Sequence, residues 1–307
     1  MAIMQSVIEV KNLIKKYRKL NAVNNISFEV SEGEIFGLLG ENGAGKTTTL
    51  EMIEGLRKPS NGFISVMGQN IQNNLSEIKE KIGVQLQSTA YYADLSLKEI
   101  IELFGSFYSK SLPSKELLSM VHLSDKANSR VSSLSGGQKQ RFSIVASLVN
   151  DPDIVFLDEP TTGLDPLARR NLWKIISDIK ARGKTIILTT HYMEEAELLC
   201  DRVAIMEKGR ILAIDETHKL IEKIECPYSI NFSISNIDTN SFRQLMKFGE
   251  VRNTLAKKYR FELKIKNQAE LNNAVRIINN MEPLTLTVGH ATLEDVFIEL
   301  TGKTIGE

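Results

Sequence analysis

Gly40-Glu41-Asn42-Gly43-Ala44-Gly45-Lys46-Thr47 places two fixed glycines, a lysine and a hydroxyl at the spacing G-x-x-x-x-G-K-[ST]. That spacing builds a phosphate site. The glycines turn the backbone through φ values that other residues avoid. The exposed N–H groups of the turn converge into a nest for anionic oxygens. Lys46 is placed to reach β- and γ-phosphates, and the Thr47 hydroxyl can sit on Mg²⁺. Asn42, Gly43, Ala44, Gly45, Lys46, Thr47 and Thr48 are therefore the candidate phosphate contacts. The bland alternative is a glycine-rich turn with an incidental lysine. Context argues against it, because residues 34–39 read as a buried strand and residues 48–54 as a helix. The positive end of that helix faces the loop.

Further groups could act on a bound phosphate. Leu157-Asp158-Glu159 closes an apolar strand beginning at Ile154. A buried strand that ends in two carboxylates is costly unless they meet a cation or a reacting group. Side chains alternate along a strand, so the two acids should diverge. Asp158 suits a Mg²⁺ shell and Glu159 suits the activation of water. Leu134-Ser135-Gly136-Gly137-Gln138 precedes a helix with Phe142, Val145, Ala146 and Val149 on one face. Ser135 is a good N-cap there, and the two glycines bare N–H groups at the positive helix end, which makes a second anion site. Taken alone, a Ser-Gly-Gly is more often an ordinary capped helix start. Gln87 follows the strand expected at 82–86, His191 follows the strand expected at 185–189, and Tyr17 precedes the second strand. Gly163-Leu164-Asp165-Pro166 reads as a turn into a helix. Each of these signals is weak by itself.

The elements that must position these groups are legible. Residues 7–10 and 26–30 alternate as half-buried strands do, whereas 154–157 and 185–189 are continuous apolar runs suited to a sheet covered on both faces. Leu172, Ile175, Ile176 and Ile179 fall at helical spacing between the latter two. Strand, helix, strand in that order predicts a parallel sheet with crossovers. Residues 88–130 instead carry helical periodicity, at Leu95, Leu97, Ile100, Ile101, Leu103 and Phe104 and then Leu117, Leu118 and Val121, so a helical insertion is expected over about 88–150. Composition shifts near Cys226-Pro227. Beyond it the expected order is strand (228–234), helix (241–248), strands (251–255 and 259–265), helix (268–281), strand (284–288) and helix (292–300). That β-α-β-β-α-β order is ferredoxin-like.

Composition narrows the class. The 307 residues suggest two domains, and 38 basic against 38 acidic residues give no charge excess that would call for nucleic acid. Cys200 and Cys226 have no metal-ligand spacing and fit a reducing cytosol. The first ten residues lack the apolar core of a signal peptide, and no apolar run approaches the ~20 residues of a membrane helix.

The order of these motifs along the chain resembles the complete series of an ABC ATPase, and the resemblance covers residues 6–224. It implies an α/β P-loop fold with a helical subdomain, and ATP and Mg²⁺ as ligands. It also implies a role for each residue. Tyr17 stacks on adenine, Lys46 holds the phosphates, and Thr47, Gln87 and Asp158 organise Mg²⁺. Gln85 competes for the Gln87 role, although Gln87 fits the usual offset better. Glu159 polarises the attacking water and His191 contacts the γ-phosphate. Asp165 lies at a dimer seam. Ser135 and Gly137, in the Ser135-Gly136-Gly137-Gln138 segment, meet the γ-phosphate held by the opposite subunit of a head-to-tail homodimer. The segment Ala291-Thr292-Leu293-Glu294-Asp295-Val296-Phe297-Ile298-Glu299-Leu300-Thr301-Gly302 resembles the end of the accessory domain on ABC-2-type exporter ATPases, placing that domain at 226–307. Leu293, Val296, Phe297 and Leu300 should pack in either case. The expectation is a cytoplasmic subunit, peripheral on the inner membrane face through a separate integral permease. The alternatives are a soluble ABC ATPase of DNA or translation processes and a regulatory or immunity subunit. Neutral charge and one copy of each motif weigh against the first of these.

Overall fold

The computed structural model describes residues 6–86, 91–235, 239–249, 251–253 and 260–302. They divide into two compact units, the first ending at Glu216 and the second beginning at Thr217. The first unit runs β1 (Ser6–Tyr17), β2 (Leu20–Ser31), β3 (Ile35–Leu39), α1 (Lys46–Ile53), β4 (Asn61–Val66), β5 (Gln69–Asn70), α2 (Leu75–Lys79), β6 (Ile82–Gln85), α3 (Leu97–Gly105), α4 (Ser114–Met120), α5 (Gly136–Ala146), β7 (Ile154–Asp158), α6 (Pro166–Ala181), β8 (Thr185–Thr190), α7 (Met193–Leu199), β9 (Arg202–Glu207) and β10 (Arg210–Glu216).

Two sheets share its core. One has the order β10-β9-β3-β8-β7-β6, parallel throughout except for the β9–β10 pair. All residues of β3, β7 and β8 are buried, as their unbroken apolar runs require of strands covered on both faces. The other sheet is antiparallel, with the order β2-β1-β4-β5. Its strands β1 and β2 are each twelve residues long, well beyond the segments 7–10 and 26–30 read from alternation. Register shifts between Val10 and Leu13, with Asn12 and Asn25 in left-handed backbone, break the alternation, and the strands run on past them through buried Leu13 and Val23 to exposed ends that pair Lys16 with Asn21 and Tyr17 with Leu20. Phe28 from this sheet stacks on Phe36 of β3 with ring centroids 5.2 Å apart, which joins the two layers.

The parallel register sets up the site. Leu39 lies beside Thr190, and Asp158 lies beside Thr189. The loops leaving β3, β7 and β8 therefore emerge side by side at one edge, the usual crevice of an open α/β sheet. The expected helical insertion contributes α3, α4 and α5, which pack on one another. Ser96 opens α3 and Ser135 opens α5, each with a complete capping box. Residues 88–90 of that insertion lie outside the described residues.

The second unit runs α8 (Thr217–Glu222), β11 (Tyr228–Ser233), α9 (Thr239–Leu245), β12 (Val251–Asn253), β13 (Arg260–Ile265), α10 (Gln268–Asn280), β14 (Thr285–His290) and α11 (Leu293–Thr301). Its sheet has the order β12-β13-β11-β14, and every pair is antiparallel. Ile230, Phe232, Leu263, Leu271 and Ile278 form its core. The unit begins at Thr217, earlier than the break read at 224–226, because α8 packs against α11. In α11, Leu293, Val296 and Phe297 are buried as expected, but Leu300 is 42% exposed, one turn past the packed face. Residues 254–259, between β12 and β13, lie outside the described residues.

Glu54 departs from the apolar logic of this core. It caps the C-terminal end of α1, is only 2% exposed, and neither carboxylate oxygen has a hydrogen-bond partner. Burial, reinforced by repulsion from Asp158 and Glu51, pushes its pKa from 4.5 to about 8. The folded chain thus keeps a proton that the unfolded chain releases. Stability is therefore highest below the ordinary carboxyl pKa, falls as pH rises toward the folded value, and levels off above it. Glu54→Gln should abolish this fall, with a difference from wild type of roughly 3–5 kcal/mol above pH 8 at 1.36 kcal/mol per pKa unit. Urea unfolding of both proteins between pH 5 and 9 checks it. Parallel curves would show that Glu54 is not held neutral.

Candidate active site at the edge of the parallel sheet

The loop between β3 and α1 folds over Lys46. Gly45 precedes the helix with φ 103°, and a Cβ there would lie 2.4 Å from the carbonyl oxygen of Ala22. A Cβ on Gly40 would lie 2.3 Å from the Met206 carbonyl oxygen. Only glycine fits at either point. Lys46 is 4% exposed, and its Nζ donates to the carbonyls of Gly40 at 2.8 Å and Glu41 at 3.1 Å. It also lies 3.4 Å from Glu159 Oε1. Burial draws the ammonium pKa down, while Glu159, Asp158 and Glu41 work to raise it.

Asp158 ends β7 and is 4% exposed. Its Oδ1 accepts from the Thr47 hydroxyl at 3.1 Å and from the Thr189 hydroxyl. Burial raises its pKa against those two hydrogen bonds, and Glu159 adds to the rise. A buried anion of this kind gains from a cation. The donors that Thr47 and Asp158 offer are hard oxygens, which suits Mg²⁺. Among the described residues no cluster of three His, Cys, Asp or Glu ligands exists, so phosphate oxygens and water would complete such a shell.

Asp158 and Glu159 do diverge, but by a turn and not by strand alternation. Glu159 lies past the strand end with φ 47°, left-handed for a residue with a side chain. Its N–H donates to the Thr189 hydroxyl at 2.9 Å and to the Thr189 carbonyl at 3.2 Å, which fixes the turn. Its Oε2 accepts from Thr162 at 3.1 Å and lies 3.4 Å from His191 Nδ1. Burial alone would raise this carboxyl, but Lys46, His191 and Thr162 together hold it below the usual carboxylate range. Glu159 is therefore an ionised carboxylate at neutral pH.

A cavity of about 760 Å³ gathers Tyr17, Asn42, Gly43, Gly45, Lys46, Thr47, Thr48, Glu159 and His191. Tyr17 ends β1 and is 38% exposed, with Lys15 Nζ 5.3 Å from its ring centroid. Ala44 is buried in the turn itself. Ser135, Gly136, Gly137, Gln138 and Asp165 line a different cavity, of about 490 Å³. There the ordinary readings also hold. Ser135 and Gln138 exchange backbone and side-chain hydrogen bonds, and Asp165 caps α6 by accepting from Ala168 N–H. Within one chain the two anion sites are thus separate. Gln87 lies outside the described residues. Gln85 is buried in β6 and donates to the Leu86 carbonyl at 2.7 Å. Sequence reasoning gave no role to Thr162 or Thr189. The signal for Thr189 is its place at the end of β8, opposite Asp158.

A family model described as ABC transporter matches residues 23–162. Nod factor export ATP-binding protein I of Rhizobium leguminosarum bv. viciae is 38% identical over 302 residues, 96% of this chain and 95% of that protein. The protein of the same name from Burkholderia lata is 44% identical over 220 residues, 70% of this chain and 72% of its own. Among solved structures, the ATP-binding subunit of an ABC transporter superposes with TM-score 0.64 at 32% identity, covering 71% of this chain and 93% of that one. A dimeric ATP-binding cassette in a post-hydrolysis state with ADP and Pi superposes with TM-score 0.63 at 28% identity, covering 68% and 98%. With a buried lysine under a glycine-rich turn, an ionised glutamate beside it and 38% identity across 96% of its residues, the chain belongs to the ABC transporter family, as an ATP-binding and ATP-hydrolysing subunit.

Proposed function

We propose that the chain powers an exporter, as a head-to-tail homodimer with two ATP molecules at its seam and an integral permease as its membrane partner. The observation that carries this reading is the separation of two anion sites on one chain, one built around Lys46 and the other around Ser135. Each would be half of a composite site. The dimeric relative with ADP and Pi and the relatives named for Nod factor export support the assembly and the direction. No helix among the described residues is long and apolar enough to cross a membrane, so a membrane step needs a partner. A groove of about 600 Å³ lined by Leu56, Val84, Leu86, Tyr91, Phe104 and Phe107 suits an apolar segment of that permease. The accessory role of residues 226–307 and the ATPase role of residues 6–224 belong to the same reading.

In this mechanism the loop N–H groups and Lys46 hold the triphosphate, and Tyr17 stacks on the base. Thr47 and Asp158, with Gln87, would hold Mg²⁺, which when bound would supply positive charge against the triphosphate. Phosphate entering the cradle competes for Lys46, which loosens its pairing with Glu159 Oε1. Glu159 then orients and deprotonates water, and His191, 3.4 Å from its Oε2, fixes the carboxylate and faces the γ-phosphate. Asp165 and the Ser135–Gly137 helix start complete the site from the opposite subunit, where the N–H groups stabilise developing charge.

Glu159→Gln should retain ATP binding and lose turnover by about 10²–10⁴-fold, the usual scale of general-base removal. Steady-state phosphate release and nucleotide titration read both quantities. Near wild-type release would remove Glu159 from the mechanism.

A mixing experiment tests the sharing of sites. Lys46→Ala chains and Gly137→Asp chains should each be inactive alone, the second because it adds a carboxylate where the γ-phosphate should sit, and repulsion blocks closure. In a mixed dimer both defects fall on one composite site, which leaves the other intact. Recovered ATPase activity on mixing is the expected result. Continued inactivity, with mixed dimers present, would place both motifs in one chain's site or require both sites to fire together.

A further inference from the structure

A fully buried carboxylate outside the proposed mechanism joins two walls of the hydrolytic site. Glu195, in α7, has no exposed surface. Its Oε1 accepts the indole N–H of Trp173, in α6, at 3.0 Å. Trp173 stands on the helix that Asp165 caps, and Glu195 follows the turn that carries His191. One hydrogen bond therefore ties the segment leaving β7 to the segment leaving β8.

The cluster around it is incompletely satisfied. Glu195 Oε2, Thr161 Oγ1 and Arg169 Nε are buried without hydrogen-bond partners. Burial raises the Glu195 pKa, while the hydroxyls of Thr190 and Thr161, the Trp173 N–H and the Arg169 charge draw it back, so Thr161 is near enough to act on the carboxylate although no well-aligned bond closes between them. Arg169 N–H closes the first turn of α6 onto the Asp165 carbonyl at 2.9 Å. Its guanidinium carbon lies 4.1 Å from the Tyr192 ring centroid, and that ring lies 4.1 Å from the His191 ring. One oxygen of a carboxylate, one N–H of a guanidinium and a hydroxyl thus lack aligned partners in one buried place, and a small shift would align them.

We propose that Glu195 is a positioning residue for ATP hydrolysis: it holds the Asp165 helix and the His191 turn in register, with Arg169 as its counter-charge when the site closes on ATP. This rests on the roles proposed above for Glu159, His191 and Asp165. Glu195 touches no reacting atom. Its effect reaches the chemistry through the two segments it joins.

Double-mutant cycles on the full chain test it. Glu195→Gln keeps an acceptor for Trp173 and loses the charge, and Arg169→Gln removes the counter-charge. Each should lower kcat about tenfold with KM for ATP changed less than about twofold, and the double variant should fall about tenfold, not a hundredfold. The same cycle on nucleotide-free urea stability should show weaker coupling than the cycle on kcat. Multiplicative losses in kcat, wild-type kcat, or a loss seen only in KM would overturn the proposal. If Glu195→Gln does not fold, Arg169→Gln against Arg169→Lys decides: lysine should restore kcat and glutamine should not, and wild-type turnover in Arg169→Gln overturns the proposal. Glu159→Gln run alongside separates the two readings. Wild-type turnover there overturns the site on which the inference rests, whereas an inactive Glu159→Gln beside fully active Arg169 and Glu195 variants overturns the clamp alone.

Discussion

Everything at this site depends on burying one ammonium group. Lys46 is withdrawn from water at the edge of an apolar sheet, where an unpaired cation would be prohibitively costly. It is sustained by two carbonyls of its own loop and by Glu159 at 3.4 Å. Those partners explain why the loop must curl back over the lysine, and so why glycines stand at Gly40 and Gly45, where any Cβ would strike a carbonyl oxygen. The same pairing explains why Glu159 is turned away from Asp158 with a left-handed backbone. In the proposed mechanism a phosphate would replace these carbonyls and the carboxylate as partners of Lys46, so binding and the release of Glu159 would be one event.

Asp158 shows the complementary constraint. Its carboxylate is buried beside that of Glu159, and two threonine hydroxyls, from Thr47 and Thr189, stabilise it. Thr47 comes from α1 and Thr189 from β8, so a cation bound there would lock three neighbouring segments of the sheet edge. Positions of the loops follow from strand register, which follows in turn from the fully buried faces of β3, β7 and β8.

Much of this was legible beforehand, for identifiable reasons. Gly-x-x-x-x-Gly-Lys-Thr demands a strand before and a helix after, and both are present. Continuous apolar runs marked the parallel strands. Alternation marked β1 and β2 but underestimated their length, because register shifts beside Asn12 and Asn25 put buried Leu13 and Val23 out of step with the two-residue period. The antiparallel sheet they form with β4 and β5 needs long-range pairing, which local pattern does not encode. Thr189 and Thr162 look like ordinary strand and turn residues until the fold sets them beside Asp158 and Glu159. Glu195 was hidden for a similar reason: one acid in an acidic helix start gives no sign that Trp173 will meet it. Leu300 fits the helical stripe of α11 but lies beyond the surface that covers it.

In the proposed homodimer the Lys46 cradle of one chain is completed by the Ser135 helix start of the other. Chains carrying Ser135→Cys can be mixed with chains carrying Asn42→Cys, both with Glu159→Gln to hold bound ATP and Cys226→Ser to remove the partly exposed native thiol. A short bifunctional thiol reagent should then join unlike chains when ATP and Mg²⁺ are present, and fail to join them when nucleotide is absent. Crosslinking that ignores ATP, or that joins only like chains, would contradict a site shared between subunits.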